Sequence, residues 1–361
     1  MSQTSVVEQI LDLARGAPSG DNAQPWRFEV VGDRHFVIHG RDTRDHCIYD
    51  LDGRPSQLAL GALIETAAIA ASRHGLGLSA ARRKGMPEHL PTFDITLTPD
   101  AQCVASPLLA QIPQRRVQRR ALSTRPLSDT DREALQAAAG PGYQVVWFGS
   151  WPDRLRWASL LWANAGLRLR LPEAFETHRS VIEWDASFSK DRIPDQALGA
   201  DRLTIALMRK AMHSWQRIAF LNRWLGGTIA PRIAMDMVPA LACAAHVAIV
   251  ADRVPADIDD HVASGRAVQR LWLTATKLGL QHQPSATPLV FARYLREGRH
   301  FTQHGNLVSN AQTLATRLET LLGQETHRTV WLGRLGHGVP ATARSLRRPL
   351  EELLTHDTRQ F

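Results

Sequence analysis

The stretch LALGALIETAAIAASRHGLG, residues 58–77, occurs a second time in the chain in altered form. Its counterpart, VASGRAVQRLWLTATKLGLQ, covers residues 262–281 and aligns with it without a gap, 204 positions later. Both carry apolar residues with the period of an amphipathic helix. Two buried helices can match by chance, but the paired glycines favour a duplicated unit. The identical positions are Ala59/Ala263, Gly61/Gly265, Ala71/Ala275, Gly75/Gly279 and Leu76/Leu280.

The residues around the first copy predict a small α+β unit. Residues 5–16 have the pattern of a short amphipathic helix, and residues 56–75 that of a longer one. Between them, residues 26–31 and 35–38 flank a Gly-Asp pair and predict a β-hairpin. Residues 330–335 predict a strand near the end of the second copy.

The two copies differ in length. We place copy one at residues 1–100 and copy two at residues 101–361, with the excess of copy two at about 150–235. That excess is rich in tryptophan and helical in pattern. Within it, residues 179–199 are polar and weakly periodic, which leaves two interpretations open: a lid over a site, or a surface excursion.

Composition bounds the class of protein. The 361 residues are 44% hydrophobic and 22% charged, as in a globular domain. No apolar run approaches the roughly 18–20 residues that span a bilayer, and the N-terminus lacks a signal-peptide pattern. We therefore expect a cytoplasmic protein with no membrane partner. Three scattered cysteines and the lack of an HExxH motif indicate neither a disulfide framework nor a metal site, and there is no Walker or GxGxxG motif.

Arginine accounts for nearly all of the net charge of +8. Such an excess fits an anionic cofactor or substrate, nucleic acid, or a plain solvated face. Aromatic residues do not interleave with the runs and no recognition motif is apparent, so we expect no nucleic-acid partner. The two densest clusters are Arg115, Arg116, Arg119, Arg120 and Arg344, Arg347, Arg348.

The stretch APSGDNAQPW, residues 17–26, separates the first predicted helix from the hairpin. Its prolines and glycine predict a turn. A turn alone does not account for the Ser, Asn and Gln that precede the tryptophan. Each of these polar side chains fits turn bonding as well as it fits cofactor binding.

Together three segments resemble the flavin-dependent nitroreductase family. Residues 18–26 are similar to its Pro-Ser-x-x-Asn-x-Gln-Pro-Trp motif, and residues 115–120, with 125–127 behind them, to its Arg-x-Ser-x-Arg start. Residues 331–352 resemble its C-terminal strand, glycine turn and arginine-rich loop. The resemblance implies an α+β nitroreductase-like fold, two tandem copies of a mixed sheet flanked by helices. The similarity is greatest to a divergent tandem branch that includes dormancy-associated nitroreductases.

The resemblance also implies an FMN site. Arginine suits the FMN phosphate, since its planar fork binds two oxygens at once. Ser19 and Asn22 are candidates for the ribityl chain or pyrimidine edge, and a backbone N–H of Ser285 or Ala286 for flavin N5. The family's phosphate-binding hydroxyl is replaced by Val117. The implied cofactor-binding residues are Pro18, Ser19, Asn22, Gln24, Arg115, Arg116, Arg119, Pro284, Ser285, Ala286, Arg344, Arg347 and Arg348.

The two copies retain complementary halves of one composite site. Copy one has the 17–26 turn but no arginine start before it, whereas copy two has both arginine clusters. Where copy two should carry its own turn, it reads QAAAGPGYQVVWF after Leu135. We therefore expect a single-chain pseudodimer with one FMN, either monomeric or weakly self-associating.

The leading functional prediction is an FMN-dependent oxidoreductase. Hydride would pass through flavin N5 from NAD(P)H or a substrate to a small-molecule acceptor, with no catalytic side chain required. The substrate could be a nitroaromatic, a quinone or a biosynthetic intermediate. The alternative is a protein that binds or sequesters flavin in a covered site without turnover.

Overall fold

The computed structural model describes residues 5–355, and its N-terminal part forms a helix, a hairpin, a long central helix and two further strands. Ser5 caps the first helix through a capping box with Glu8, and Pro55 stands in the first turn of the long helix. These elements are α1 (Val6–Ala14), β1 (Trp26–Gly32), β2 (His35–Gly40), α2 (Arg54–Ser72), β3 (Leu76–Arg82) and β4 (Thr92–Pro99).

The second part of the chain begins with one helix and one strand, and a large insertion follows them. The elements up to the end of the insertion are α3 (Asp129–Ala139), β5 (Tyr143–Phe148), α4 (Trp151–Arg168), α5 (Pro172–Val181), β6 (Ile182–Glu183), β7 (Phe188–Ser189), β8 (Ile193–Pro194), α6 (Arg202–Ala211), α7 (Trp215–Trp224), α8 (Ile229–Arg232) and α9 (Val238–Leu241). They are followed by β9 (Ala245–Ala251), α10 (Ile258–Lys277), β10 (Leu280–Pro284), α11 (Thr287–Arg296), α12 (Gly305–Leu322), β11 (Thr329–His337) and β12 (Arg344–Ser345).

Two four-stranded sheets share one topology. The first has the order β1-β2-β4-β3 and the second β5-β9-β11-β10, and the pairs within each are antiparallel. Read in chain order, each strand of the first sheet has its counterpart at the same place in the second. The repeated helices α2 and α10 likewise follow the second strand of their sheets. The internal repeat detected in the sequence therefore extends to both sheets.

The insertion lies at one defined place in the second sheet. In the first sheet, Asp33 and Arg34 alone join β1 to β2, whereas residues 149–244 join the equivalent strands β5 and β9. The predicted excess at 150–235 coincides with this connection. Because a hairpin tip lies at the edge of the fold, a long insertion there leaves the sheet intact.

Each sheet also makes one parallel contact with a segment from elsewhere in the chain. The N–H of Phe28, on edge strand β1, donates to Leu353 O at 2.8 Å, and Phe28 O accepts from Thr355 N–H at 2.8 Å. This contact, and a second bridge between Val117 and His282 beside β10, are parallel. Residues 353–355 thereby lie along the edge of the first sheet, and the core there contains Trp26. None of the described helices is both long and apolar enough to cross a lipid bilayer.

Candidate functional site: a strained turn and an arginine cluster

The turn at residues 17–26 is backbone-strained. Asp21, Asn22 and Gln24 have φ values of 50°, 63° and 51°, a left-handed region that non-glycine residues rarely occupy. Such strain costs about 1–3 kcal/mol per residue and persists only where the surroundings enforce it. Ser19 contributes to that enforcement, since its Oγ accepts the Gln24 N–H at 2.9 Å. Trp26 is fully buried immediately after the turn.

The turn is held by the C-terminal arginine loop. Arg347 donates from Nε to Ala17 O and from Nη1 to Asn22 Oδ1, both at 2.8 Å. Gln24 Oε1 accepts the backbone N–H of Arg348 at 2.9 Å. Asn22 and Gln24 are 4% and 1% exposed, so these bonds are shielded from water. The structure thus brings together two segments that lie more than 320 positions apart.

Arg115 joins the same group. It is 8% exposed, donates from Nη2 to Gly16 O at 3.0 Å, and lies over the Trp272 ring at 4.6 Å. Its Nε is buried with no hydrogen-bond partner among the described residues. Burial, followed by the charges of Arg347 and Arg344, lowers the pKa of Arg115 well below its usual value.

Four arginines form a cluster without counter-charges. Arg116 donates to Ala341 O at 2.9 Å, and Arg344 to Pro113 O at 2.8 Å. Within residues 5–355, none of the four has a carboxylate partner; they donate chiefly to backbone carbonyls. Burial and the neighbouring Arg344 charge also lower the pKa of Arg347, to about 10. Like charges gathered in this way are suited to a bound anion. The arginine cluster is Arg115, Arg116, Arg344 and Arg347.

Two of the predicted arginines point elsewhere. The Arg348 side chain pairs with Asp191 at 3.0 Å, although its backbone N–H holds the turn. Arg119 donates to Ala197 O at 3.0 Å. Burial lowers the pKa of Arg119, opposed by the charge of Asp21. The Arg119 side chain therefore bonds to the insertion and lies near Asp21, outside the hydrogen bonds of the cluster.

The segment with Pro284, Ser285 and Ala286 follows β10 and leads into α11. Residues 115–120 run beside β10, because Val117 bridges His282 and the Gln118 N–H donates to His282 O at 3.1 Å. The predicted Ser285 donor is already used: its N–H donates to Leu332 O at 2.8 Å. Ala286 occupies the N-cap position of α11, and its N–H donates to no acceptor among the described residues.

Two buried polar atoms without partners among the described residues lie in or beside this segment. They are Gln283 Oε1 and Asn164 Oδ1. Asn164 is close to the segment, since its Nδ2 donates to Thr287 Oγ1 at 2.8 Å. Buried polar groups are normally satisfied, so a concentration of exceptions indicates a ligand with polar edges. The polar edges and phosphate of FMN fit this donor and acceptor set.

Beside the turn lies a pocket that sequence reasoning missed. It is lined by Asp21, Cys47, Tyr49 and Thr177, among others. Tyr49 Oη lies 2.8 Å from His178 Nε2. Burial, with a smaller effect of the Arg168 charge, lowers the pKa of His178 to about 3, so this imidazole is neutral. Burial raises the pKa of Asp21 despite Arg119 and Arg168 nearby. Asp21 belongs to the turn at residues 17–26, whereas no local sequence pattern indicates that Tyr49 and His178 lie together.

Residues 179–199 pack on both halves of the predicted site. The Gln24 and Asn22 amides donate to Lys190 O at 2.9 Å and Arg192 O at 3.2 Å. Strand β7 pairs in parallel with β12 of the C-terminal loop. The segment therefore lies directly against the turn and the loop.

The second copy has no equivalent turn. Its α3 and β5 are joined by Gly140-Pro141-Gly142 alone, with φ values of 83° and 82° at the glycines. The first copy uses residues 15–25 for the same connection. Three residues are too few to present a comparable set of side chains, so a turn of this kind occurs once between the corresponding helix and strand of the two copies in residues 5–355.

Comparisons with known proteins support the resemblance. No protein-family model matches the chain. An uncharacterized protein of Mycobacterium tuberculosis is 26% identical over 353 residues, which cover 94% of this chain and 47% of that protein. A protein of the same organism named "Putative NAD(P)H nitroreductase" is 32% identical over 153 residues, which cover 42% of this chain and 44% of the relative. This chain therefore spans about half the length of the relatives it matches.

Among solved structures, the FMN-dependent nitroreductase NfnB of Mycobacterium smegmatis in complex with NADPH aligns over 68% of this chain and 96% of its own. The identity is 17% and the TM-score 0.36, values at which the likeness carries no argument. The relation to the nitroreductase family lies in the sequence similarity and in the motifs of the turn and the arginine loop.

Proposed function

We propose that this relative of the nitroreductases is an FMN-dependent oxidoreductase that binds one FMN per chain. The observation that carries the proposal is the arginine cluster, which includes the buried Arg115, has no carboxylate partner among the described residues and lies against a strained turn. An FMN phosphate carries close to two negative charges and supplies the missing counter-charge. Residues 1–100 and 101–361 are the two halves of the proposed pseudodimer.

The arginine cluster would hold the phosphate. Arg115 has a buried unpaired Nε, and Arg347 is fixed by its bonds to Ala17 and Asn22, so both side chains are preorganised. Val117, which stands where the family has a hydroxyl, instead bridges His282 and holds the arginine segment against β10. Charge, rather than a hydroxyl donor, would therefore dominate phosphate recognition here.

The segment after β10 would hold the flavin ring. When bound, FMN supplies the hydride-transfer chemistry. The Ala286 N–H is the proposed donor to the N5 edge, since Ser285 is committed to Leu332. Gln283 and Asn164 would satisfy further polar edges. We propose that Ser19 and Gln24 act chiefly by fixing the turn, since their hydrogen bonds within the protein explain their positions, and that Pro18 does so through its fixed backbone φ.

The donor and acceptor follow from the relatives' name and from the family resemblance. We propose NAD(P)H, or the substrate itself, as the hydride donor, and a small molecule such as a nitroaromatic or a quinone as the acceptor. A biosynthetic intermediate that is dehydrogenated is a further substrate class. We place the activity in the cytoplasm, where reduced nicotinamides are available.

A second candidate function is flavin sequestration without turnover. Residues 179–199 lie against the turn, where Gln24 and Asn22 bind their carbonyls, and against Arg348 through Asp191. A segment fixed in this way would exclude nicotinamide from the flavin. The contacts of residues 179–199 therefore favour a covered flavin site, unless this segment moves away from the turn.

The test is the visible spectrum of the purified chain after incubation with FMN and removal of free flavin. We expect a flavin-to-chain ratio near one; a ratio near two contradicts the single composite site, and protein that rejects FMN contradicts the flavin proposal. Steady-state oxidation of NADH and NADPH with a quinone acceptor then separates the two candidates. Bound FMN with no turnover would establish sequestration.

A further inference from the structure

Two consecutive helices of the insertion lie on the surface without contributing to the core. Neither α6 nor α7 contains a buried residue, yet both expose large apolar side chains. Exposure reaches 69% for Leu203 and 65% for Trp224. Several large apolar side chains exposed on two consecutive helices are more than the scattered single exposures that are normal on a protein surface. We define the α6–α7 surface by its exposed apolar residues, Leu203, Leu207, Phe220, Trp224 and Leu225.

The charge of the same segment is one-sided. Between Asp201 and Asp236 the chain has six lysine and arginine residues and no aspartate or glutamate, against a net charge of +8 for all 361 residues. On α7, Arg217 and Arg223 are exposed beside the aromatic residues, and the Arg223 guanidinium lies over the Trp224 ring at 5.1 Å.

We propose that the α6–α7 surface docks on an anionic lipid surface, which replaces the expectation of no membrane partner because that expectation rested on the lack of a spanning segment. Leu203 and Leu207, like Phe220 and Trp224, are four residues apart and so share one side of their helix. Leucine and aromatic residues beside arginine are typical of helices that lie in the membrane interface, where the apolar side chains enter and the cations remain at the headgroups. Each basic residue near such a surface adds attraction.

The charge distribution favours lipid over a second copy of this chain. Two such surfaces brought face to face would place arginine and lysine against arginine and lysine, and Asp201, the N-cap residue of α6, supplies too little negative charge to compensate. A bilayer with anionic headgroups offers both an apolar phase and the opposite charge. The α6–α7 surface therefore matches such a bilayer both in its apolar side chains and in its positive charge.

The surface has a firm attachment to the rest of the protein. Asn222 Nδ2 donates to Leu169 O, beyond the end of α4, at 2.8 Å, and the Trp215 ring lies 5.8 Å from the Phe175 ring of α5. These contacts use the side of α7 opposite Phe220 and Trp224. Docking would consequently orient the whole protein on the membrane, not only a loose segment.

The experiment is co-sedimentation of the full chain with vesicles, either pure phosphatidylcholine or phosphatidylcholine with phosphatidylglycerol. We expect binding to the anionic vesicles that weakens as salt increases. The quadruple variant Leu203→Gln, Leu207→Gln, Phe220→Gln, Trp224→Gln should lower the partition coefficient about tenfold or more. The matched control Val104→Gln, Val339→Gln alters residues that are 84% and 80% exposed elsewhere and should bind like the wild type.

A second variant, Arg217→Gln with Arg223→Gln, keeps the apolar residues and should lower both the binding and its salt dependence. The proposal is overturned if the wild type ignores anionic vesicles, or if the quadruple variant, unfolding at the wild-type temperature, binds equally well. It is also overturned if sedimentation velocity shows a dimer that the quadruple variant dissociates, because a second copy would then be the occupant. None of these outcomes depends on flavin.

Discussion

Gly61 on α2 and Gly265 on α10 occupy equivalent positions 204 residues apart, and each faces the backbone of the other helix. A Cβ on Gly61 would overlap the carbonyl oxygen of Val262, and a Cβ on Gly265 that of Leu58. Leu58 and Val262 are themselves equivalent in the repeat. The contact is therefore self-complementary, as at a two-fold interface between identical subunits.

Side-chain contacts repeat the same relationship. Glu65 accepts from Arg270 Nη1 at 3.1 Å, and Gln269 donates to Thr66 Oγ1 at 2.9 Å. Since Glu65 is equivalent to Gln269 and Thr66 to Arg270, one pair is the counterpart of the other. The two helices thus form a pseudo-two-fold interface within one chain. The ion pair of Glu65 with Arg270 corresponds to the neutral hydrogen bond of Gln269 with Thr66.

Replacing Gly265 with alanine should destabilise the protein by about 3 kcal/mol, because the two helix backbones must separate to admit the methyl group. Urea unfolding followed by circular dichroism measures the change. Gly305→Ala is the matched control: it begins α12 with open space where its Cβ would be, and should have a neutral or slightly stabilising effect. A Gly265→Ala protein as stable as the wild type would contradict the described helix contact.

Removing Arg347 or Arg115 should weaken FMN binding about 10- to 100-fold, as expected for losing a charge-assisted hydrogen bond to phosphate. Titration by quenching of flavin fluorescence gives the dissociation constants. Arg347→Lys should lie between Arg347→Ala and wild type, since it keeps the charge and loses the fork. Exposed Arg317 on α12 provides the control, Arg317→Ala. Equal affinities for all four variants would remove the arginine cluster from the proposed site.

Gln24→Ala should destabilise the protein by about 2–3 kcal/mol, because the Asn22 and Lys190 carbonyls and the Arg348 N–H lose a buried partner. Hydrogen exchange should rise at residues 189–192 and 346–348 before it rises elsewhere. The control Gln312→Ala alters an exposed glutamine on α12. Unchanged exchange in the 189–192 segment would show that it is held independently of the turn.

Acid should destabilise the protein through buried neutral imidazoles. Burial lowers the pKa of His246 to about 3, against about 6.5 in the unfolded chain. Between these values the unfolded state binds a proton that the native state does not, so stability falls as the pH falls, by about 1.4 kcal/mol per pH unit for each such histidine. His178 and His282 are lowered to about 3 as well.

His246→Gln should therefore remove about 1.4 kcal/mol per pH unit from the slope of stability between about pH 4.5 and 6. Glutamine can keep the bond that His246 Nε2 makes with Ala240 O at 2.9 Å, while the stacking on Trp157 at 5.0 Å is lost. Urea midpoints across this range, with exposed His300→Gln as control, give the comparison. Parallel slopes for His246→Gln and wild type would mean that this imidazole is protonated in the native state.

Much of the fold was predictable because it is local in the sequence. The periodicity of residues 56–75 and the alternation of residues 26–38 depend on which side chains face a core, and both predictions agree with α2 and the β1–β2 hairpin. The meeting of the turn with Arg347 was expected from the family resemblance. The positions of Asn164 beside Thr287 and of Arg168 near Asp21 were not expected. Both residues lie in an insertion whose position depends on contacts far along the chain.

By itself, the sequence determined the repeated helix and the concentration of arginine, and it predicted that the two copies keep complementary halves of one site for an anion. These features are carried by residue identity and spacing. Tertiary structure alone decided which donors remain available. The Ser285 N–H donates to Leu332 O, the Arg119 and Arg348 side chains bond outside the arginine cluster, and the carbonyls of Lys190 and Arg192 bind the turn. A hydrogen-bond donor serves the partner that folding places nearest, and that choice depends on distances that no local pattern records.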